Sequence, residues 1–437
     1  MRKAFERLYL PLVAIALIIR VAIAVIPGNS VRTPWSGGGD MGAYVLLARN
    51  LVTGNGYTYS QMPTAFRTPG YPLFLAAMME LFGNRFALAT RFLQGVAGMF
   101  AAYFCMKAAS ILFGERAGKI ALLAALLFPT LLYFSGEILT EGLTSFFLAL
   151  FLWTFAEDTE HANWKTAAAM GCAIGLGALV RANMAVLGLV ALMGAWVARP
   201  TVNSKRQLAI IPLCAGLIFA PWIIRNWIAF GQPLLSTEGG AAALVSLVNP
   251  EARLMTGWDE RLRQTVGYVI PNELETNGPE RLAIGSELDM NRRCWHASHE
   301  IWSEMSWGSR VNWVLVKWVT YWLSTDQLLN PGSVSRMNRA LHVAAVIFYW
   351  ALLALASLGW WILRKTRPNV AAILLGYAVL ITVLHTPFVM NTRIRAPLVD
   401  PLIAVLAGGS WSALEGEKRL EEKFERATAS GDSDRSE

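Results

Sequence analysis

The sequence predicts an all-α polytopic membrane protein with about ten transmembrane helices, and two observations support this class. Hydrophobic residues make up 55% of the 437 positions and charged residues only 16%, whereas charged residues make up roughly 25% of an ordinary soluble domain. Apolar runs close to the length of one membrane span recur along the chain, bounded by charged residues, proline or glycine. The composition therefore excludes a soluble secreted or cytosolic enzyme.

The basic residues predict how these spans are oriented. The net charge of +8 is divided among short clusters in alternate connections, as the positive-inside rule expects of cytoplasmic loops. Both termini are therefore predicted to be cytoplasmic, and no nucleic-acid partner is indicated. The predicted spans cover residues 8–27, 87–113, 119–135, 138–156, 165–181, 183–198, 206–229, 337–363, 369–387 and 396–412.

The first apolar segment has some features of a cleaved signal peptide. It has a basic start and the triplet Ala22-Ile23-Ala24, which is typical of a cleavage site. Arg20 interrupts its apolar stretch, however, and further spans follow it. An uncleaved membrane anchor is therefore favoured.

The first outer loop, residues 28–86, is long enough to hold a site. Its glycines Gly37–Gly39 permit a tight approach of Asp40 to the membrane plane. A helix is predicted over Met41–Leu51, where Asp40 also suits the N-cap. Glycines at 54 and 56 then predict a turn, and the apolar run Leu73–Phe82 is too short to span, which indicates an interfacial helix.

The second outer region, residues 230–336, is more polar and mostly helical in pattern. It holds six of the seventeen tryptophans between Trp295 and Trp322, which predicts a helix resting on the headgroup layer or one that binds a lipid substrate. The chain thus divides into a transmembrane module at 1–229, this outer region, C-terminal transmembrane helices at 337–412 and a charged, partly disordered tail at 413–437.

Motifs of other chemistries are weak. The segment Gly114–Lys119 is one residue too short for a phosphate-binding loop and does not follow a predicted strand. Three cysteines fall in predicted spans, so Cys294 has no disulfide partner outside the membrane. His296 and His299 lie close to Cys294 and could ligate a metal, but the polar side of an amphipathic helix is favoured.

Charged residues within or beside spans are costly, so each raises a functional question. Carboxylates and arginines are both predicted at the outer face. A carboxylate there can act as a general base on an acceptor hydroxyl while arginines stabilise charge on a departing phosphate. Alternatively, the arginines reach to lipid headgroups and the acids simply pair with them. The residues in question are Asp40, Glu80, Glu137 and Glu141 and the arginines Arg67, Arg225, Arg393 and Arg395.

The first outer loop resembles that of GT-C glycosyltransferases, which are polytopic enzymes that use polyprenyl-phosphate sugars. The resemblance rests on the run Gly39–Leu51, the turn Gly54–Tyr57 and the segment Thr64–Leu75. The chain is most similar to the branch that holds protein O-mannosyltransferases and the bacterial aminoarabinose transferases of lipid A. A GT-C-like fold is therefore implied. Further similar segments are Leu81–Arg91, Glu137–Glu141, Pro221–Trp227 and Arg393–Pro397.

The resemblance implies roles for individual residues. Asp40 matches the proposed catalytic base and Arg67 the basic residue that contacts the donor phosphate, while Glu141 matches a second acidic position. Several relatives carry two adjacent acids in this loop, whereas Met41 follows Asp40 here. This departure favours a site without a metal cofactor, with a divalent metal as the alternative. The other expected site residues are Glu137, a turn before Glu141, the phosphate-binding candidates Arg393, Arg395 and Arg225, and the lining residues Tyr44 and Tyr71.

The sequence therefore predicts a glycosyltransferase of the bacterial inner membrane. It is expected to move a sugar from a polyprenyl-phosphate donor to a hydroxyl of a glycan, lipid or protein on the outer face, by one inverting displacement. The alternative is a transporter or flippase for a lipid-linked or small substrate. That alternative predicts internal repeats and charged residues at mid-membrane, and the sequence shows no clear repeat.

Overall fold

The computed structural model describes residues 2–25, 40–59, 61–198, 202–248, 284–323 and 336–411. These residues are helical apart from short connections and one two-stranded antiparallel hairpin of β1 (Thr58–Tyr59) and β2 (Met62–Pro63), which confirms the all-α prediction. The helices are α1 (Arg2–Val25), α2 (Asp40–Val52), α3 (Gly70–Phe82), α4 (Phe86–Phe113), α5 (Glu115–Leu127), α6 (Pro129–Ser135), α7 (Glu141–Glu160), α8 (Trp164–Val180), α9 (Leu187–Ala198), α10 (Val202–Phe230), α11 (Glu238–Val248), α12 (Ile284–Glu304), α13 (Trp307–Leu323), α14 (Arg336–Thr366), α15 (Pro368–His385) and α16 (Thr392–Gly409).

Each predicted span overlaps one α-helix, with two exceptions: residues 119–135 form a pair of helices, and residues 183–198 form the short 3-10 helix Ala182–Val186 followed by α9. Within the described ranges, four segments are long and apolar enough to cross a membrane, and the bent pair α5 and α6 raises this number to five. The four segments are 70–113, 207–230, 343–366 and 368–385. The count of ten spans stays a prediction.

The break between α5 and α6 is explained by proline and a buried arginine. Pro129 has no N–H, so the carbonyl of Ala125 loses its usual helical donor. Arg20 replaces it: its Nη2 donates to Ala125 O at 2.7 Å and its Nε to Leu126 O at 3.1 Å. The two helices meet at a bend of 52°, and the arginine that interrupts the first apolar stretch thereby joins α1 to this bend.

Helix α16 lies at the centre of the bundle because glycines allow close approach on two sides. A Cβ at Gly408 would lie 2.4 Å from the carbonyl oxygen of Ala117 on α5, and one at Gly359 on α14 would lie 1.8 Å from that of Leu406. Small residues at such crossings are typical of packed membrane helices. The C-terminal end of α16 is therefore held against α5 and α14.

The first outer loop folds back on the bundle as two packed helices. The predicted helix Met41–Leu51 is α2, and the apolar run at Leu73–Phe82 is part of α3. Both glycines of the predicted turn, Gly54 and Gly56, have positive φ angles of 78° and 74°, which glycine tolerates best. Helices α2 and α3 share one buried apolar cluster with the start of α4. Gly37–Gly39 lie outside the described residues.

The second outer region is helical where it is described, in α11, α12 and α13, as predicted. Indole groups dock α13 on the C-terminal end of α15: Trp318 Nε1 donates to Thr386 Oγ1 at 2.9 Å and Trp322 Nε1 to Thr382 Oγ1 at 3.2 Å. Trp307 at the start of α13 is 76% exposed, which suits a helix at a lipid surface. Residues 249–283 and 324–335 of this region, and the tail from 412, lie outside the described residues.

Candidate active site

Asp40 is held between two arginines from distant parts of the chain. Its Oδ1 pairs with Arg67 Nη2 and its Oδ2 lies 2.7 Å from Arg393 Nη1. Arg67 is in the loop before α3, and Arg393 is in the first turn of α16. The structure therefore brings together the predicted base and two of the predicted phosphate-binding arginines.

Glu141 extends this group on the side of the bundle. Its carboxylate is almost fully buried at the first position of α7, and its Oε1 lies 2.5 Å from Arg393 Nε and 3.5 Å from Arg181 Nη1. Arg393 thus bridges two carboxylates. We call Asp40, Arg67, Glu141, Arg181 and Arg393 the ion cluster.

Arg181 was not predicted as a site residue. It is the C-cap residue of α8 and the last residue of the predicted span 165–181, and its Nη1 has no hydrogen-bond partner among the described residues. The signal that the sequence offered was a single cation at the end of an apolar run, beside a very short connection.

Local structure places the ion cluster where several helices begin. Asp40 is the first residue of α2 and Glu141 the first of α7. Asn391 caps α16, since its Oδ1 accepts a hydrogen bond from Ile394 N at 3.0 Å. Carboxylates in a first helical turn are favoured by the helix dipole, and both Asp40 and Glu141 occupy such a position.

Arg225 does not reach the ion cluster. Its Nη1 donates to Thr64 O at 2.6 Å and its Nη2 to Tyr57 O at 2.8 Å. The Tyr57 hydroxyl in turn donates to Arg67 O at 2.9 Å. Arg225 therefore fixes the loop that carries Arg67, which is a different position from the phosphate contact predicted for it.

Arg395 is also separate from the ion cluster. It is fully buried, with Nε 3.2 Å from Asp400 Oδ1 and Nη1 donating to Tyr321 O at 3.2 Å. Its guanidinium lies 4.1 Å from the ring centre of Tyr349. The prediction that Arg395 contacts a phosphate at the outer face does not fit this position, because its guanidinium is buried and pairs with the buried carboxylate of Asp400.

Glu137 lies in the turn before α7. Gln94 Nε2 donates to its backbone oxygen at 2.6 Å. In the described part of the chain, the ion pairs of the cluster involve Glu141 and not Glu137. The acidic pair of the prediction is therefore divided between a cluster member and a turn residue.

The two predicted lining tyrosines form one wall under Arg67. The Arg67 guanidinium lies 5.6 Å from the ring centre of Tyr44, and Tyr44 meets Tyr71 edge to face at 5.1 Å. Tyr71 is fully buried and its hydroxyl donates to Gln94 Oε1 at 2.7 Å. Burial raises the pKa of Tyr44 to about 12, so this phenol stays neutral. Tyr44 faces the ion cluster, and Tyr71 supports it from behind.

The charges of the site determine the state of Asp40. Burial alone raises the pKa of Asp40, but the charges of Arg67 and Arg393 outweigh burial and hold this pKa well below its usual range. Arg67 also pairs through Nη1 with Glu238, the first residue of α11. Asp40 is therefore ionised at any pH near neutrality.

No group of three or more histidine, cysteine, aspartate or glutamate side chains that could hold a metal ion occurs within the described ranges. Of the three residues considered as metal ligands, Cys294 is buried and His296 lies 3.4 Å from Glu300 on the exposed side of α12.

Residues 66–227 match a family model described as dolichyl-phosphate-mannose-protein mannosyltransferase. This segment contains Arg67, Glu141 and Arg181 of the ion cluster, whereas Asp40 and Arg393 lie outside it. Among curated protein sequences, none matches the chain.

Solved structures match this chain at low sequence identity. The oligosaccharyltransferase AglB from Archaeoglobus fulgidus, in complex with an inhibitory peptide and a dolichol-phosphate, has a TM-score of 0.57 and 17% identity over 97% of this chain and 52% of its own. The apo form of the oligosaccharyltransferase from that organism has a TM-score of 0.55 and 14% identity over 96% of this chain and 52% of its own. ArnT from Cupriavidus metallidurans, bound to undecaprenyl phosphate, has a TM-score of 0.43 and 15% identity over 94% of this chain and 79% of its own.

The fold is that of the GT-C membrane glycosyltransferases, which confirms the predicted resemblance. The chain spans about half the length of the archaeal proteins that it matches.

Proposed function

We propose that this protein is a membrane glycosyltransferase that moves a sugar from a polyprenyl-phosphate donor to an acceptor hydroxyl. The observation that carries the proposal is Asp40 held between Arg67 and Arg393, where the first outer loop meets the starts of α7 and α16. A carboxylate beside two guanidinium groups supplies both a base and a binding site for a leaving phosphate. The dolichol-phosphate in the archaeal protein of the same fold supports a lipid-linked donor.

In this proposal the donor phosphate binds to Arg67 and Arg393, the two arginines that hold Asp40. Each guanidinium offers five N–H donors, so both can contact a phosphate while they remain near the carboxylate. When the phosphate attracts part of their charge, the pKa of Asp40 rises and the carboxylate becomes a stronger base. Donor binding thereby prepares Asp40 for catalysis.

The transfer is a single displacement with inversion at the sugar C1. The acceptor oxygen forms a bond to C1 while the bond from C1 to the phosphate oxygen breaks, and that electron pair stays on the phosphate. The acceptor proton moves to Asp40. Arg67 and Arg393 stabilise the charge that grows on the phosphate, and phosphate needs no separate general acid.

Glu141 and Arg181 act on the reaction through Arg393. The buried carboxylate of Glu141 accepts from Arg393 Nε, which fixes the plane of the guanidinium and directs Nη1 at Asp40. Arg181 Nη1 lies 3.5 Å from the same carboxylate oxygen of Glu141. We assign positioning roles to Glu141 and Arg181.

We place the site at the outer face of a bacterial inner membrane, with both termini cytoplasmic. The distribution of basic clusters supports this orientation. The acceptor is a glycan, a lipid or a protein in this proposal, and the Trp-rich helix α13 helps to close the site against water.

The test is sugar transfer by purified protein in nanodiscs. Radiolabelled sugars from a panel of polyprenyl-phosphate donors are offered with membrane extract to the wild type, Asp40→Asn and the control Asp289→Asn, whose carboxylate is exposed on α12. We expect transfer by the wild type and the control, and a loss of about 10²–10⁴-fold in Asp40→Asn with donor binding retained. Full activity in Asp40→Asn contradicts the base assignment. No transfer from any donor, with labelled lipid crossing vesicle membranes, supports a flippase instead.

A further inference from the structure

The Arg67 guanidinium is occupied by two carboxylates of different character. Nη2 pairs with Asp40, and Nη1 pairs with Glu238, while Nε has no hydrogen-bond partner among the described residues. The side chain of Asp40 is 16% exposed and that of Glu238 is 40% exposed. Asp40 is also held by Arg393, whereas Arg67 is the ion-pair partner that the structure gives Glu238. Glu238 is therefore the partner of Arg67 that is more easily exchanged.

The charge balance of the site also favours the exchange of Glu238 for a phosphate. Arg67, Arg181 and Arg393 carry three positive charges, and the carboxylates of Asp40, Glu141 and Glu238 carry three negative charges. A phosphodiester donor adds one negative charge to this neutral group. If the Glu238 carboxylate moves away, the remaining residues have a net charge of +1, which matches that donor.

The backbone before Glu238 is fixed to the loop that carries Arg67. Ser236 Oγ donates to Phe66 O at 2.8 Å, and Thr237 N donates to Ala65 O at 3.1 Å. The buried Glu287 on α12 accepts from both segments, from Ala65 N at 2.9 Å and from Thr237 Oγ1 at 2.6 Å. The side chain of Glu238 can thus rotate towards solvent and return while its Cα stays beside Arg67.

We propose that Glu238 is an internal competitor of the donor phosphate. Its carboxylate occupies the Nη1 side of Arg67 in the empty site, is displaced when the lipid-linked phosphate binds, and returns to that position as the lipid phosphate leaves. This inference rests on the proposed function, because it takes Arg67 as the phosphate contact. Glu238 would then set donor affinity and product release without taking part in the chemical step.

The charge of the lipid phosphate product gives this competition a role in product release. A phosphate monoester carries about −1.5 to −2 charges near neutral pH, whereas the donor phosphodiester carries one. The lipid phosphate product is therefore attracted to the arginines more strongly than the donor is. A carboxylate that returns to Arg67 weakens the binding of this product and thereby favours its release.

The experiment measures binding of farnesyl phosphate, a short polyprenyl phosphate, to full-length protein in nanodiscs by calorimetry. The variants are Glu238→Gln, the charge-preserving Glu238→Asp, and Asp289→Asn, which removes one carboxylate from the same outer region. We expect Glu238→Gln to bind about 3- to 10-fold more tightly than the wild type. Glu238→Asp and Asp289→Asn are expected to bind like the wild type, and farnesol, without a phosphate, should bind equally to all four proteins.

Steady-state kinetics give a second readout. Glu238→Gln should lower KM for the donor and make farnesyl phosphate a stronger product inhibitor by a similar factor. Unchanged or weaker binding in Glu238→Gln, in a protein that still transfers sugar, overturns the competitor role and leaves the proposed function intact. If the wild type neither binds farnesyl phosphate nor transfers sugar from any polyprenyl-phosphate donor, the proposed function and this inference both fail.

Discussion

Arg393 and Arg395 are separated by one residue at the start of α16, yet their surroundings differ completely. Arg393 contacts carboxylates from α2 and α7 and its side chain is 14% exposed. Arg395 contacts Asp400 of its own helix and is fully buried. The origin of the partner and the access to solvent, rather than the residue type, therefore distinguish a candidate site arginine from an internal one.

The internal pair belongs to a larger buried polar group. Asp400 accepts from Thr130 Oγ1 as well as from Arg395, and the Arg395 guanidinium stacks near Tyr349. These contacts connect α16 with α6, α13 and α14. Disturbing this group should affect folding, whereas disturbing Arg393 should affect activity.

The largest effect on stability is expected for Arg395→Met. The change leaves the Asp400 carboxylate buried without its cation, which typically costs about 3–5 kcal/mol. The apparent melting temperature in detergent, followed by tryptophan fluorescence, should fall clearly below that of the wild type. A matched comparison is Arg395→Met combined with Asp400→Leu, which removes both charges and should recover most of the loss. An unchanged melting temperature in the single variant contradicts the structural role of Arg395.

Arg393→Gln is expected to lose activity while it keeps most of its stability. It removes the proposed phosphate contact that bridges Asp40 and Glu141, and loss of one such donor typically lowers the rate by about 10²–10³-fold. Arg67 remains beside Asp40 and Arg181 beside Glu141, so the melting temperature should change less than in Arg395→Met. Sugar transfer and thermal unfolding of the same preparation check both parts. A variant that keeps full activity removes Arg393 from the proposed mechanism.

The sequence predicted the fold better than the site because the two depend on different information. Helices such as α10 and α14 follow from the length of one apolar run, which is a local property. Which arginine meets Asp40 depends on packing between distant segments. Arg393 and Arg395 both precede the same apolar run, and only the position of α16 beside Glu141 and Tyr349 separates them.

Arg181 and Glu238 illustrate the limits of local signals. Arg181 is a single cation at the end of an apolar run, a position where an arginine commonly reaches to lipid headgroups. Glu238 lies in the polar outer region, where a carboxylate is ordinary. Each joins the site through a contact with a residue far away in the sequence, Glu141 for Arg181 and Arg67 for Glu238.

Arg181→Gln should have a smaller effect than Arg393→Gln. Arg181 lies 3.5 Å from Glu141 and acts in the proposal through Glu141 and Arg393, so we expect a loss of about 10-fold in kcat. Arg181→Lys keeps the charge and should recover part of the activity, which a purely packing role for this residue would not explain. Equal activity of Arg181→Gln and the wild type would limit the site to Asp40, Arg67, Glu141 and Arg393.

The smallest effect concerns the pH dependence of kcat/KM between about pH 4 and pH 8. Asp40 is a carboxyl group whose pKa in the folded protein lies well below its usual range, so the wild type should show no loss of activity from Asp40 as the pH falls across this interval. Arg67→Gln removes the largest of the arginine charges that oppose the effect of burial, and the pKa of Asp40 must therefore rise. Because protonated Asp40 cannot accept the acceptor proton, the residual activity of Arg67→Gln should decrease at the acidic end of the profile.

Arg292→Gln, which alters an exposed arginine on α12, should keep the wild-type profile. A loss of wild-type activity as the pH falls through about 6, or identical profiles for the wild type and Arg67→Gln, would show that Arg67 and Arg393 do not control the charge of Asp40.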